Sequence, residues 1–273
     1  MEDLQRQAEK LAAGLDAAKG RYLVVITGAG ISLASGIPTF RGTDKDAVWK
    51  KDVTELGTYR FFRQNPVESW LWSQRVFGAT LGAKPNPAHR ALAEIERHHL
   101  AAGGRFLLIT QNIDTLHEQA GSRELVKVHG SVDRYRCASP LGCVYGAPSG
   151  SLPAAEVDFA PFLAEPKFEN LPRCKVCGDL LRRHVLWFDE YYQEHDDYQW
   201  PRVQEAAQLM DALIFVGTSF SVGVTETFLQ AALFSRIPVF SIDPSGFRPH
   251  YRLETIAAKA EELLPVVSSR LAG

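Results

Sequence analysis

Apolar residues in this chain gather in short unbroken runs separated by longer amphipathic stretches. Residues 22–27, 105–110, 125–129, 213–217 and 238–242 are dominated by aliphatic and aromatic side chains, the pattern of strands buried on both faces. Between them, residues 86–99, 202–210 and 225–235 carry apolar positions at helical spacing, as do residues 3–19, where Gly20 makes a stop. The alternation predicts an α/β fold on a doubly wound parallel sheet, Rossmann-like in plan. Two stretches interrupt it. Residues 44–84 are rich in aromatics (Trp49, Tyr59, Phe61, Phe62, Trp70, Trp72 and Phe77), and residues 132–184 in Pro, Gly, Ser and Cys. The expected organisation is a Rossmann-like domain from residues 1–43, 85–131 and 185–273, a helical insert at 44–84 and a small cysteine-bearing module at 132–184. The cleft between the two insertions and the sheet edge is the natural site.

Composition narrows the classes. A chain of 273 residues with 45% hydrophobic content can bury one large core and a smaller one. Its net charge of −2 leaves no basic footprint, so nucleic acid is not an expected partner. The first residues lack the apolar segment of a signal peptide, and no apolar run reaches membrane-spanning length. The expectation is a soluble cytoplasmic protein.

Cys174 and Cys177 are separated by two residues and followed by Gly178, a knuckle that lets both thiolates reach one metal; Cys137 and Cys143 form a wider pair. Four thiolates make a closed tetrahedral Zn2+ site with a structural role. The alternatives are two disulfides, disfavoured in a reducing cytoplasm, or four free thiols, disfavoured by the paired spacing.

Three predicted strand ends carry chemistry-bearing residues. After 22–27 comes Gly28-Ala29-Gly30-Ile31-Ser32-Leu33-Ala34-Ser35-Gly36-Ile37-Pro38-Thr39-Phe40-Arg41-Gly42. Its small residues would let the backbone approach a phosphate. Leu33 stands where a dinucleotide fingerprint has its third glycine, and no acidic residue follows at the usual distance, which argues against a dehydrogenase. After 106–109 comes Thr110-Gln111-Asn112-Ile113-Asp114, and the run from Leu125 ends in His129-Gly130-Ser131. All three blocks, in this order, resemble those of the sirtuins, the NAD-dependent protein deacylases, and the likeness extends from about Tyr22 to Asp243.

The resemblance implies the roles that follow. Gly28, Ala29, Gly30, Ser32, Ile37 and Thr39 would form the NAD loop, Phe40 would screen the cationic ribose carbon, and Arg41 would contact phosphate or ribose. Gln111 would touch the ribose hydroxyls, Ile113 would lie in the cofactor site, and Asn112 and Asp114, catalytic with His129, would hold the nicotinamide amide and nearby waters. His129 would be the general base, an imidazole titrating near neutrality being suited to that task. Asn112 and Asp114 have a plainer reading as caps of a helix beginning near Thr115. Gly217, Thr218 and Ser219 resemble a further cofactor loop, with Val222 near the peptide. Asp243 stands where the family usually has Asn on the adenosine side. The segment Val185-Leu186-Trp187-Phe188-Asp189-Glu190 resembles the one that pairs with a bound acyl-lysine peptide as a strand. Asp189 replaces the family's usual Gly; it predicts a mild preference for basic flanks, or else a solvated acidic turn. Sirtuins that take acidic acyl groups carry Tyr and Arg three residues apart on the insert, where Ser73 and Val76 align here; Trp72 and Arg75 have that spacing but sit one step out of phase. Acetyl or a longer apolar acyl group is therefore expected. The remaining histidines, His89, His98, His99, His117, His184 and His195, read as surface or structural.

The function so implied is acyl transfer from an acyl-lysine to the ADP-ribose of NAD, with nicotinamide released. An ADP-ribosyltransferase, an NAD glycohydrolase and a noncatalytic NAD-sensing module are the alternatives.

Overall fold

A computed structural model describes residues 2–39, 53–220 and 223–272. The elements in chain order are α1 (Glu2–Ala17), β1 (Tyr22–Thr27), α2 (Val53–Leu56), α3 (Tyr59–Gln64), α4 (Pro66–Phe77), α5 (Pro87–Ala101), β2 (Arg105–Thr110), α6 (Leu116–Ala120) and β3 (Leu125–Lys127). Then come β4 (Gly130–Cys137), β5 (Leu152–Pro153), α7 (Ala160–Ala164), β6 (Leu181–Val185), α8 (Trp200–Leu209), β7 (Ala212–Val216), α9 (Gly223–Ser235), β8 (Val239–Ile242), β9 (Glu254–Ile256) and α10 (Ala260–Ala272).

Six strands form one sheet in the order β3-β2-β1-β7-β8-β9, and every pairing in it is parallel. All six residues of β1 are buried, because helices cover both faces. On one side Leu23 and Val25 meet α1, α5 and α10 through Leu11, Leu15, Leu92, Ile95, Leu263 and Leu264. On the other, Val24 and Ile26 meet Val203, Phe228 and Leu229 of α8 and α9. Each such aliphatic side chain removed from water contributes about 1.5–3 kcal/mol. Helix α1 joins this core through Ala8, Leu11, Ala12 and Leu15, one stripe at the helical period. Helix α5 starts where Asn86 accepts a hydrogen bond from the Ala88 N–H and Pro87 takes the first turn.

The smaller sheet, β5-β4-β6, is antiparallel. Its core includes Tyr135, Phe162 and Leu181, and it takes in Phe62, Trp70 and Phe77 from the helical stretch. The aromatic run is thus chiefly core: Trp70 stacks on Tyr135 with centroids 5.6 Å apart and planes 3° apart. The pattern missed β9, α10 and the small sheet.

The chain runs β1 to β2 to β3 toward one edge, and β7 to β8 to β9 toward the other. The order therefore reverses between β1 and β7, and a crevice opens there beyond the strand ends, where open parallel sheets bind ligands.

Candidate active site

That crevice is a cleft of about 1120 Å³. Gly28, Ala29, Gly30, Leu33 and Thr39 line it after β1; Gln111, Asn112 and Ile113 after β2; His129 after β3; and Gly217, Thr218 and Ser219 after β7. Asp243 lines the end near α10, while Trp72, Phe77, Val185, Trp187, Phe188 and Glu190 line the opposite end. The cleft thus collects cofactor-loop and substrate-segment residues from strand ends far apart in sequence. Ser32, Ile37, Asp114 and Asp189 do not line it, and Phe40, Arg41 and Val222 lie outside the described residues.

The glycine-rich turn has a purpose the sequence did not disclose. The Gly30 N–H donates to the Gly217 carbonyl at 2.9 Å. A Cβ on Gly28 would lie 2.8 Å from that oxygen, and one on Gly30 would lie 2.7 Å from Gly217 Cα. Gly217 itself has φ +58°, the left-handed region that glycine tolerates best. These glycines let two strand-end loops touch. The turn continues as a 3₁₀ helix, Ala29–Ser35.

Behind the cleft wall, the Asn112 side-chain amide donates to the Gly28 carbonyl and to Ser32 Oγ, both at 3.1 Å. Ser32 Oγ in turn donates to Asp114 Oδ2 at 2.9 Å, and Asp114 Oδ1 accepts from the Leu116 N–H at 3.0 Å. Asp114 thus holds the first N–H of α6 from the residue before its N-cap, Thr115, while bracing Asn112 through Ser32.

His129 is half-buried at the wall. Its Nδ1 sits 2.7 Å from the Gln111 carbonyl, which can only accept, so the proton belongs on Nδ1 and Nε2 carries the lone pair. The Tyr192 hydroxyl lies 3.3 Å from Nε2, and the two rings stack with planes 13° apart. Burial lowers the His129 pKa from its ordinary value, opposed by the Gln111 hydrogen bond. Sequence reasoning missed Tyr192. It stacks on Trp200, and its burial pushes its hydroxyl up to about 12, so it remains a neutral donor. No spacing in the sequence ties residue 192 to residue 129; only the return of the chain after β6 does.

The substrate segment is held by bonds within the chain. Its amides are already engaged: Leu186 N–H with the His129 carbonyl, Phe188 N–H with the Gly57 carbonyl, and Trp187 N–H with Glu190 Oε2. Asp189 sits exposed in a turn, as one of its two readings had it. Its two oxygens accept the Tyr59 and Arg60 N–H groups at 2.7 and 3.1 Å, the first turn of α3, where a carboxylate suits the helix dipole. Glu190 is tied to Arg136 and Arg182, with 7% of its side chain exposed. Arg182 lies 3.8 Å over the Trp187 ring. Asp189→Ala removes both bonds to α3 and should lower stability by about 0.5–2 kcal/mol; an unchanged urea midpoint would show that this tether contributes nothing.

At the apolar end, neither Ser73 nor Arg75 lines the cleft. Ser73 Oγ accepts from Arg183 Nε at 2.7 Å, and Arg75 is exposed. At the other end, Asp243 Oδ1 accepts from the Ser245 N–H at 2.9 Å. Of the remaining histidines, His89, His99, His117, His184 and His195 are buried.

The four cysteines converge. Cys137 Sγ lies 3.3 Å from Cys177 Sγ, Cys143 Sγ lies 3.6 Å from Cys174 Sγ, and all four sulfurs fall within 4.8 Å of one another. All four thiols are free. A tetrahedral ion with Zn–S bonds of about 2.3 Å spaces its sulfurs by roughly 3.8 Å, so the donor set fits zinc.

A Sir2 family profile matches residues 28–224. The chain is 37% identical over 251 residues to an NAD-dependent protein deacylase of Thermus thermophilus, covering 90% of each chain. A solved Sir2 homolog–NAD complex superposes with a TM-score of 0.77 at 33% identity, over 97% of this chain and 93% of that one. A Sir2–p53 peptide–NAD+ complex gives 0.70 at 26% identity, over 91% and 92%.

Proposed function

The chain belongs to the Sir2 family and is an NAD-dependent protein deacylase, and from that premise we propose that His129 is its general base and that it prefers acetyl or a longer apolar acyl group on lysine. The observation that carries this reading is the single lone pair His129 presents at the cleft wall, at Nε2, with Nδ1 held by Gln111. NAD and zinc are its cofactors. When bound, NAD would supply an electrophilic ribose carbon suited to the neutral carbonyl oxygen of an acylated lysine.

The remaining work falls to the chain's own residues. Gly28, Ala29, Gly30, Thr39, Thr218, Ser219 and Asp243 would hold the dinucleotide along the cleft. Gln111 and Asn112 would orient the ribose and the nicotinamide amide. Asp114 and Ser32 would keep Asn112 in place through the hydrogen bonds behind the wall. His129 Nε2 would accept a ribose hydroxyl proton, and its present partner, the Tyr192 hydroxyl, would exclude water from that nitrogen until substrate arrives. Trp72, Phe77, Ile113, Val185 and Trp187 would enclose the acyl chain. Among the described residues no cation lines that end; the Glu190 carboxylate there is already paired with two arginines. A dicarboxylic acyl group would bury an uncompensated charge, at a cost of several kcal/mol. Peptide pairing with residues 185–190 would require the Phe188–Gly57 bond to exchange for one to the peptide. We assign residues 1–43, 85–131 and 185–273 to the NAD-binding domain, 44–84 to the insert and 132–184 to the zinc module. Four free thiols support the reducing cytoplasm as its compartment.

The test uses NAD with acetyl-, longer-acyl- and succinyl-lysine versions of one peptide, following nicotinamide and peptide mass. Nicotinamide should appear only with acylated peptide, and the succinyl peptide should turn over at least about tenfold more slowly, a difference of about 1.4 kcal/mol. Release without peptide would indicate a glycohydrolase, and a peptide that gains mass an ADP-ribosyltransferase.

A further inference from the structure

A second cluster of ligating side chains lies outside both the cleft and the cysteine cluster. It joins His184 of β6 to His195 and Asp197, which follow β6 on the way to α8. One metal-capable atom from each lies within 4.8 Å of the other two. His184 Nε2 is 3.2 Å, and His195 Nδ1 3.9 Å, from Asp197 Oδ2. An ion bound at about 2.0–2.1 Å in tetrahedral geometry spaces its N and O ligands by roughly 3.3 Å, so small side-chain shifts close the set.

Two features argue for a ligand here beyond a simple ion pair. His184 has 1% of its side chain exposed, yet its Nδ1 has no hydrogen-bond partner and its Nε2 faces only the Asp197 carboxylate, at 3.2 Å. A buried ring nitrogen left in that state is unfavourable, and a bound ion is one way to satisfy the cluster. His195, by contrast, is oriented as metal-bound histidines usually are. Its Nε2 is 3.1 Å from the Gly150 carbonyl, which fixes the N–H there and turns the Nδ1 lone pair toward Asp197. That lone pair now accepts only the Asp197 N–H, at 3.2 Å. Asp197, with 41% of its side chain exposed, gives the cluster an opening to solvent, and Ser151 Oγ already donates to its Oδ2 at 2.9 Å.

We propose that His184, His195 and Asp197 form a second divalent-cation site of two imidazoles and one carboxylate, open to water at its fourth position and distinct from the four-thiolate site. This donor set suits zinc, cobalt and nickel better than magnesium or calcium. Gly130 pairs with Val185 at the start of β4, directly after His129, and Tyr192 precedes His195 by three residues. An ion here therefore fastens the segment that places Tyr192 over His129 to the strand beside the base.

The full-length, zinc-loaded protein is titrated with Co2+ and followed by visible absorption, with bound metal counted by mass spectrometry after gel filtration. The wild-type protein should take up one cobalt beyond its zinc, with ligand-field bands and no thiolate charge-transfer band. Asp197→Ala, a change at an exposed position, should keep the zinc and lose the cobalt, and His195→Gln should do the same. Thiolate bands would place the cobalt among the cysteines and overturn the proposal. So would a wild-type count of one ion in total, or cobalt uptake unchanged in Asp197→Ala.

Discussion

His129→Ala should cut peptide-dependent nicotinamide release at steady state, with kcat/KM falling by roughly 10²–10⁴, the contribution of a positioned general base. The loss follows from geometry: His129 Nε2 is the ring nitrogen left with a lone pair at the cleft wall once Nδ1 is committed to Gln111. The pH profile supplies an independent check. Burial lowers the His129 pKa from its ordinary 6.5, and the base acts in its neutral form. Protonation therefore removes activity only below that value, and the acid limb of kcat/KM should fall below pH 6.5. An acid limb above it, or a variant that keeps near wild-type turnover, would remove His129 from the mechanism.

Loss of the four-thiolate ion should have the larger effect on the fold. Structural zinc contributes about 10–16 kcal/mol in small zinc-folded peptides, and Cys137 and Cys174 sit inside the hydrophobic core shared by the small sheet and the helical stretch. Cys174→Ser, or exhaustive chelation, should melt that core while leaving the parallel sheet, whose two apolar faces draw on other residues. Deacylation should vanish with it, because Trp72, Phe77 and Trp187 at the acyl end of the cleft pack in or against that same core. Proteolysis paired with metal analysis reads this directly: cleavage should concentrate in residues 132–184 and in the helical stretch. A metal-free protein with unchanged protease resistance and activity would refute a structural role for the ion.

The parts that were legible in sequence share one physical property. A strand buried on both faces must be apolar at every position, so β1, β2 and β7 announce themselves as uninterrupted runs. Short-range spacing also encodes what a close knuckle can do, as with Cys174 and Cys177. By contrast β9 is three residues long with Glu and Thr in it, too short and too polar to register. The small sheet mixes arginines into its strands: Arg136, Arg182 and Arg183 are buried because each finds a partner in Glu190, Ser73, or a backbone carbonyl. Periodicity cannot foresee a buried arginine, since its burial depends on a partner elsewhere.

The same distinction runs through the site. Which strand ends carry the glycines, the Gln-Asn-Ile-Asp run and His129 was settled by the order of residues alone, because side-chain chemistry at the end of a strand is a local property. Their convergence was settled by the reversal of strand order between β1 and β7, and long-range packing alone decided three further matters. Gly28 and Gly30 serve the contact with Gly217, Asp189 tethers α3, and Tyr192 covers the nitrogen of His129. Each joins groups 63 to 189 positions apart, a separation over which hydrogen-bond partners are chosen by tertiary packing and leave no periodic trace in the chain.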